Sequence, residues 1–100
     1  MRFDIQPFTL QDIPHIQHLQ PKGWNDISVD LMAYCMNSFC KPIKVVIHHR
    51  IVGIGVVIYH ERSAWLAHII VDESSRGQGI AKMIVRFLIA LATKYGSLTI

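Results

Sequence analysis

The residues Val71-Asp72-Glu73-Ser74-Ser75-Arg76-Gly77-Gln78-Gly79-Ile80-Ala81-Lys82 hold the densest chemical signal in this chain of 100 residues. Two glycines sit where a helix is about to start, and the first N–H groups of a helix have no partner inside it. The donors of Gly77, Gln78, Gly79, Ile80, Ala81 and Lys82 can therefore converge on one small volume. With the positive end of the helix macrodipole, worth roughly 0.3–1 kcal/mol, such an array holds phosphate oxygens. Gly77 and Gly79 keep side chains out of that volume and can take the backbone angles a tight turn needs. Ala81 is small enough to let a ligand come close to the helix.

The flanks must place this turn. Before it, Trp65-Leu66-Ala67-His68-Ile69-Ile70-Val71 is apolar and ends β-branched, which predicts a buried strand. After it, Ile80, Met83, Ile84, Phe87, Leu88 and Leu91 recur at helical spacing and form one broad apolar stripe. A glycine turn can also serve chain geometry alone, but Arg76, Ala81 and the stripe together favour a ligand. Other phosphate loops fit poorly: there is no Gly-x-x-x-x-Gly-Lys-Ser/Thr, and Gly77-x-Gly79 lacks the third glycine of a dinucleotide fingerprint. Gly53-x-Gly55 lies within a strand, where it predicts close packing against the neighbouring layer rather than binding.

The rest of the chain reads as a scaffold. Phe3–Phe8 alternates as a first strand, and Thr9 with Asp12 matches a capping box opening a helix with Ile13, Ile16 and Leu19 on one face and Pro14 near its start. Pro21-Lys22-Gly23 ends it. Asn25, Asp26 and Ser28 offer caps for a second helix, with Leu31, Tyr34, Cys35 and Ser38 on one face, and Cys40-Lys41-Pro42 breaks it. Ile43–His48 and Ile51–Tyr59 predict an antiparallel hairpin turning near His49-Arg50, and Arg62-Ser63-Ala64 leads into the Trp65–Val71 strand. The long helix from about Gly77 closes at Tyr95-Gly96, with Lys94 in its last turn, and Ser97–Ile100 begins another strand. The order β-α-α-β-β-β-α-β predicts an α+β domain in three layers, a mixed and mainly antiparallel sheet flanked by helices.

Bulk properties narrow the class. The chain is 51% hydrophobic and 17% charged and has the length of a single domain, 1–100. No apolar run reaches the roughly 18 residues of a membrane span, and the start Met1-Arg2-Phe3-Asp4-Ile5-Gln6 lacks the apolar core of a signal peptide. A cytoplasmic protein without a membrane partner is the expectation. Net charge is +3, and the only cluster, His48-His49-Arg50, looks like a hairpin tip rather than a nucleic-acid stripe. Cys35 and Cys40 are not spaced for a zinc site, so free thiols and no metal are expected.

The pattern Arg-x-x-Gly-x-Ala, here Arg76, Gly79 and Ala81, resembles the signature of the GNAT superfamily of N-acetyltransferases, which bind acetyl-coenzyme A at this turn. Thr9–Pro14, Gly23-Trp24-Asn25 and Ile51-Val52-Gly53 add weaker likenesses, so the resemblance covers nearly the whole chain. It implies that main-chain groups of Ile69, Ile70 and Val71 pair with the pantetheine arm, one N–H polarising the thioester carbonyl. It implies that Arg76, Gly77, Gln78, Gly79, Ile80, Ala81 and Lys82 form the segment holding the pyrophosphate. The reaction implied is acetyl transfer to a primary amine of a small molecule or peptide. A general base is then needed, because such an amine is mostly protonated at pH 7. The family has no single position for that base, and where histone-modifying members carry glutamate this chain has Trp65. His68, Glu61 and His60 are candidates by nearness to the fourth strand, and His15 and His18 lie near the region that lines acceptor sites in the family.

The chain departs from the family at its end. It stops as the fifth strand starts, before a further helix and two strands that usually form the far acceptor wall and supply the tyrosine that protonates the thiolate. Tyr95 does not replace that tyrosine. An incomplete N-acetyltransferase domain is therefore expected, with a coenzyme-binding module without turnover as the alternative. An uncovered apolar sheet edge predicts a homo-oligomer, for which light scattering is the check.

Overall fold

The computed structural model describes residues 3–94. Four strands form one antiparallel sheet in the order β1-β2-β3-β4: β1 Asp4–Pro7, β2 Cys40–Ile47, β3 Arg50–His60 and β4 Ser63–Val71. Two helices flank it, α1 (Ile27–Cys35) and α2 (Ile80–Lys94). The β-branched runs make the sheet and the six-point stripe makes α2, as the sequence predicts: Ile80, Ile84 and Leu88 are fully buried, and Met83, Phe87 and Leu91 pack beside them. One core joins α2 to Ile43, Val45, Val52 and Val57, and a second on the other face joins α1 to Phe8, Ile16, Leu19, Ile54 and Ile70. The result is three layers, helix, sheet and helix.

Several boundaries differ from the expectation, each for a local reason. The first helix is two 3-10 turns, Leu10–His15 and Gln17–Leu19. Pro14 has no N–H to give an α-helical bond and disfavours α geometry in Ile13 before it. Its opening is as expected: the Asp12 carboxylate accepts from the Thr9 N–H at 2.8 Å. The helix α1 is capped by Asp26, which accepts from the Ser28 N–H at 2.9 Å, and it ends at Cys35, so Ser38 lies outside it. The Asn37 side chain takes the Phe39 N–H instead, at 2.8 Å, a turn that competes with continuing the helix.

Strand β2 starts at Cys40, before the expected Ile43, with Pro42 inside it. The Pro42 carbonyl accepts from the Phe8 N–H just past the end of β1, so the donor that proline lacks would have pointed to the last rung of that pairing, and only this terminal bond is forgone. The hairpin turns at His48 and His49, whose φ of 49° and 65° make the two-residue turn that suits strand twist, one residue earlier than expected. Strand β4 starts at Ser63, after a turn with Glu61 at φ 52°. Helix α2 starts at Ile80 rather than Gly77, after one 3-10 turn over Glu73–Ser75. Tyr95, the Gly96 cap and the Ser97–Ile100 strand lie outside the described residues, as does any pairing that would make the sheet mixed.

The glycines of β3 bear out the packing expectation. A Cβ on Gly53 would sit 3.0 Å from Ile84 Cδ1, and one on Gly55 only 2.7 Å from Ile84 Cγ2 and 3.1 Å from Leu88 Cδ1. Bare backbone is what lets α2 lie close to the sheet, and that closeness sets where its first turn meets the end of β4.

Candidate functional site

The turn is built from the end of β4 outward. The Asp72 N–H donates to the Val52 carbonyl at 2.7 Å and extends the β3–β4 pairing by one residue. The Asp72 side chain is buried and accepts from Ser74 Oγ at 2.9 Å and from Arg50 Nη2 at 3.2 Å. Burial pushes this carboxyl upward, but the Ser74 hydrogen bond, the Arg50 hydrogen bond and the nearby positive charge outweigh it and leave the group below the ordinary carboxylate value. Asp12 behaves alike: burial raises it, while Lys44 at 2.6 Å and the Thr9 donors bring it below that value.

A carboxylate whose folded pKa is depressed adds stability above its unfolded value of about 3.9, and that contribution is lost as pH falls through the folded value. The substitution Asp72→Asn is therefore expected to lower unfolding free energy by about 1–2 kcal/mol at pH 7. The difference should shrink as pH falls below the unfolded value of about 3.9 and toward the lower folded one, where the Asp72 carboxyl becomes protonated, and urea unfolding over a series of pH values measures it.

Beyond Asp72, Gly77 and Gly79 hold φ of 84° and 78°, the left-handed region glycine enters without strain. A Cβ on either would meet nothing within 4 Å, so the space before the turn is open. The first bond of α2 runs from the Met83 N–H to the Gly79 carbonyl at 3.1 Å, which leaves the N–H groups of Ile80, Ala81 and Lys82 without intrahelical acceptors. Arg76 lies back over the strand, its Nε donating to the Val71 carbonyl at 3.4 Å.

This turn and the end of β4 bound a cleft of about 530 Å³. Ile69, Ile70, Val71, Arg76, Gly77, Gly79, Ile80, Ala81 and Lys82 line it; of the ten expected site residues only Gln78 does not. Pro21 and Trp24 close the opposite side and were not among the expected residues. The lining holds two cations and no carboxylate, so its field favours an anion. Among the described residues β4 pairs only with β3, so its other edge is open beside the cleft. A β-bulge bends that edge: Ile54 faces Ile70 and Val56 faces Ala67, so Gly55 faces both His68 and Ile69. His68 takes φ 51° there, a left-handed conformation costing a non-glycine residue roughly 1–2 kcal/mol.

Trp24 owes its place to Gln20. The Gln20 amide donates to the carbonyls of Trp24 at 3.1 Å and Asn25 at 2.9 Å, and its oxygen accepts from the Ile27 N–H at 2.9 Å. One side chain thus stitches the loop leading into α1. Trp24 is half exposed and meets the His68 ring edge-on, with centroids 6.0 Å apart. His68 Nε2 lies 3.0 Å from Asp30 Oδ2 and Nδ1 lies 3.0 Å from the Tyr34 hydroxyl. A carboxylate can only accept, so Nε2 carries the proton and Nδ1 accepts from Tyr34. Burial, the Asp30 charge and Cys40 push the Tyr34 hydroxyl up, so it stays protonated. Asp30 and Tyr34 stand four apart on α1, a spacing that puts them on one face and that could have flagged them in the sequence.

The other base candidates lie elsewhere. His60 and Glu61 are at the β3–β4 turn, level with Ser63 and roughly 20 Å along β4 from Ile69 at about 3.3 Å per residue, so nearness in sequence misplaced them. His15 and His18 line a separate polar groove of about 790 Å³ with Lys44 and Arg50, and His18 Nε2 lies 2.7 Å from the Ile51 carbonyl. The Cys35 and Cys40 thiols are free, and burial pushes both pKa values up, so both stay as inert thiols.

The model of the acetyltransferase (GNAT) family matches residues 10–100. No curated protein matches. Among solved structures, ribosomal-protein-alanine N-acetyltransferase from Brucella melitensis biovar Abortus 2308 superposes with a TM-score of 0.80 at 17% identity, covering 98% of this chain and 77% of that one. The ribosomal-protein-S18-alanine N-acetyltransferase from Escherichia coli gives 0.83 at 15%, covering 96% and 63%. The PaiA N-acetyltransferase from Thermoplasma acidophilum, in complex with coenzyme A, gives 0.83 at 12%, covering 98% and 76%. The chain thus spans between about two thirds and three quarters of these proteins. By the family model over nine tenths of its length, with these structures sharing the fold, the chain belongs to the GNAT family of acetyltransferases, and so to the acyltransferases.

Proposed function

We propose that this protein transfers the acetyl group of acetyl-coenzyme A to a primary amine of a small molecule or peptide. The observation that carries the reading is the convergence of the open glycine turn, the unpaired donors of Ile80, Ala81 and Lys82, and the bare edge of β4 on one cleft without a carboxylate. A diphosphate matches the turn in charge and in hydrogen-bond demand. An amide-bearing arm matches the edge, whose N–H and C=O groups recognise extended amides as a further strand would. In this reading Arg76, Gly77, Gln78, Gly79, Ile80, Ala81 and Lys82 hold the pyrophosphate, and Ile69, Ile70 and Val71 pair with the arm and point an N–H at the thioester oxygen. The apolar lining from Trp24 and Ile70 keeps water from the thioester.

Among the described residues β4 is paired on one side only, and the part of its edge not given to the arm is where a second copy would add in a homo-oligomer; a cytoplasmic setting rests on the polar start of the chain. Isothermal calorimetry with coenzyme A is expected to give a saturable one-site isotherm. Thiol release from acetyl-coenzyme A is expected to rise when spermidine, glucosamine or a peptide beginning with alanine is added. Binding without amine-dependent release would establish a coenzyme-binding module instead, and absence of binding would remove the assignment altogether.

A further inference from the structure

The cleft lining contains no carboxylate, imidazole or phenol, so no group in it can take a proton from an attacking amine. Asp30, His68 and Tyr34 form an assembly that can, and Trp24, which lines the cleft, meets its His68 ring edge-on. Its position follows from the course of a ligand. A pyrophosphate at Gly77–Gly79 sits next to Val71, and an arm laid back along β4 passes Ile70 and then Ile69, which brings its far end to the bulge that carries His68. His68 is held there in a left-handed conformation, strain that the surrounding contacts must offset and that collects at functional positions. Both ring nitrogens are engaged, each at 3.0 Å, which fixes the tautomer and leaves the Tyr34 oxygen, while donating to Nδ1, with lone pairs still able to accept.

We propose that Asp30, His68 and Tyr34 form a proton relay for acetyl transfer, with the Tyr34 oxygen as the atom that takes the proton of the attacking amine; this rests on the reading of the cleft given above. The protonated amine first yields one proton to solvent. Its nitrogen then bonds to the thioester carbonyl carbon and the carbon–sulfur bond breaks. The proton shed by nitrogen passes to the Tyr34 oxygen while the Tyr34 proton moves to His68 Nδ1, and the imidazolium is held against Asp30. The reverse shift delivers one proton to the departing thiolate. Amide and free thiol are the products, and the three side chains end as they began. Tyr34 is the catalytic residue here, and Asp30 orients His68.

The competing account is a passive tie of α1 to β4, and two variants separate them. The substitution Tyr34→Phe is expected to lower kcat of amine-dependent thiol release roughly 100-fold, within the range for a lost acid–base group, and to leave the Kd for coenzyme A within about twofold. The substitution His68→Ala is expected to lose a similar factor and to regain about tenfold when imidazole is added, a rescue a structural role would not give. Turnover by Tyr34→Phe within about threefold of wild type, or loss only in step with coenzyme A affinity, overturns the relay alone; wild-type protein that binds coenzyme A yet releases no thiol with spermidine, glucosamine or the alanine peptide overturns the proposed transfer and the relay, and leaves the cleft as a coenzyme site. Wild-type protein that fails to bind coenzyme A overturns the cleft reading and the relay together.

Discussion

The substitution Gly79→Val is expected to reduce affinity for coenzyme A at least about 30-fold while the protein still folds. Gly79 holds φ at 78°, where a β-branched residue is a strong outlier and pays roughly 1–2 kcal/mol. Its Cβ would meet nothing within 4 Å, so no clash with the protein adds to that cost. The chain can relieve the strain only by re-setting the residues before Ile80, and that moves the donors of Ile80, Ala81 and Lys82 out of convergence. The added methyl groups also enter the open space in front of the turn. Both effects weaken binding far more than folding. Calorimetry with coenzyme A, beside a thermal unfolding scan, is the measurement, and a variant that binds as tightly as wild type would refute the role given to this turn.

The largest stability effect is expected at the other glycine pair. In Gly55→Val the new Cβ would lie 2.7 Å from Ile84 Cγ2 and 3.1 Å from Leu88 Cδ1. Ile84 cannot yield cheaply, because its branched side chain is stiff at χ1 and both it and Leu88 are fully buried. Helix α2 has to lift from the sheet, and overpacking of this kind costs typically 1–3 kcal/mol or more. For a chain of this size that lowers Tm by roughly 4–8 °C per kcal/mol. The lift also displaces the first turn of α2, so coenzyme A affinity should fall along with stability. Removing the obstructing Cγ2 methyl by Ile84→Leu, which carries no branch at Cβ, in Gly55→Ala should recover part of the loss, a coupling that calorimetric unfolding of the two single variants and the pair would detect. If the double variant shows the plain sum of the two losses, Gly55 does not set the helix–sheet distance.

Period and composition carried the local half of this structure. Apolar–polar alternation gives β1, apolar and β-branched runs give β2, β3 and β4, the six-point stripe gives α2, and Gly77 with Gly79 marks the turn, because all of these depend on neighbours within a few residues. The same locality explains why nine of the ten expected site residues share one cleft: they are nearly consecutive, so a strand followed by a helix has to bring them together. Boundaries were less legible where one residue's side chain competes with the backbone, as at Pro14, Asn37 and the His48-His49 turn.

Only the tertiary structure decided what stands around that cleft. Trp24 arrives as its opposite wall through the Gln20 stitch and the packing of α1 on the sheet, and nothing near Trp24 in the chain encodes the partner it faces. His68 was one histidine among several until the bulge and α1 set it between Asp30 and Tyr34, 38 and 34 residues away. His60 and Glu61, its neighbours in the chain, were carried by an extended strand to the far end of the sheet. Strand and helix periodicity are properties of adjacent residues, whereas a wall or a proton path needs side chains from separate elements to meet. That meeting is set by how the two cores pack on the sheet, and one-dimensional spacing carries no record of it.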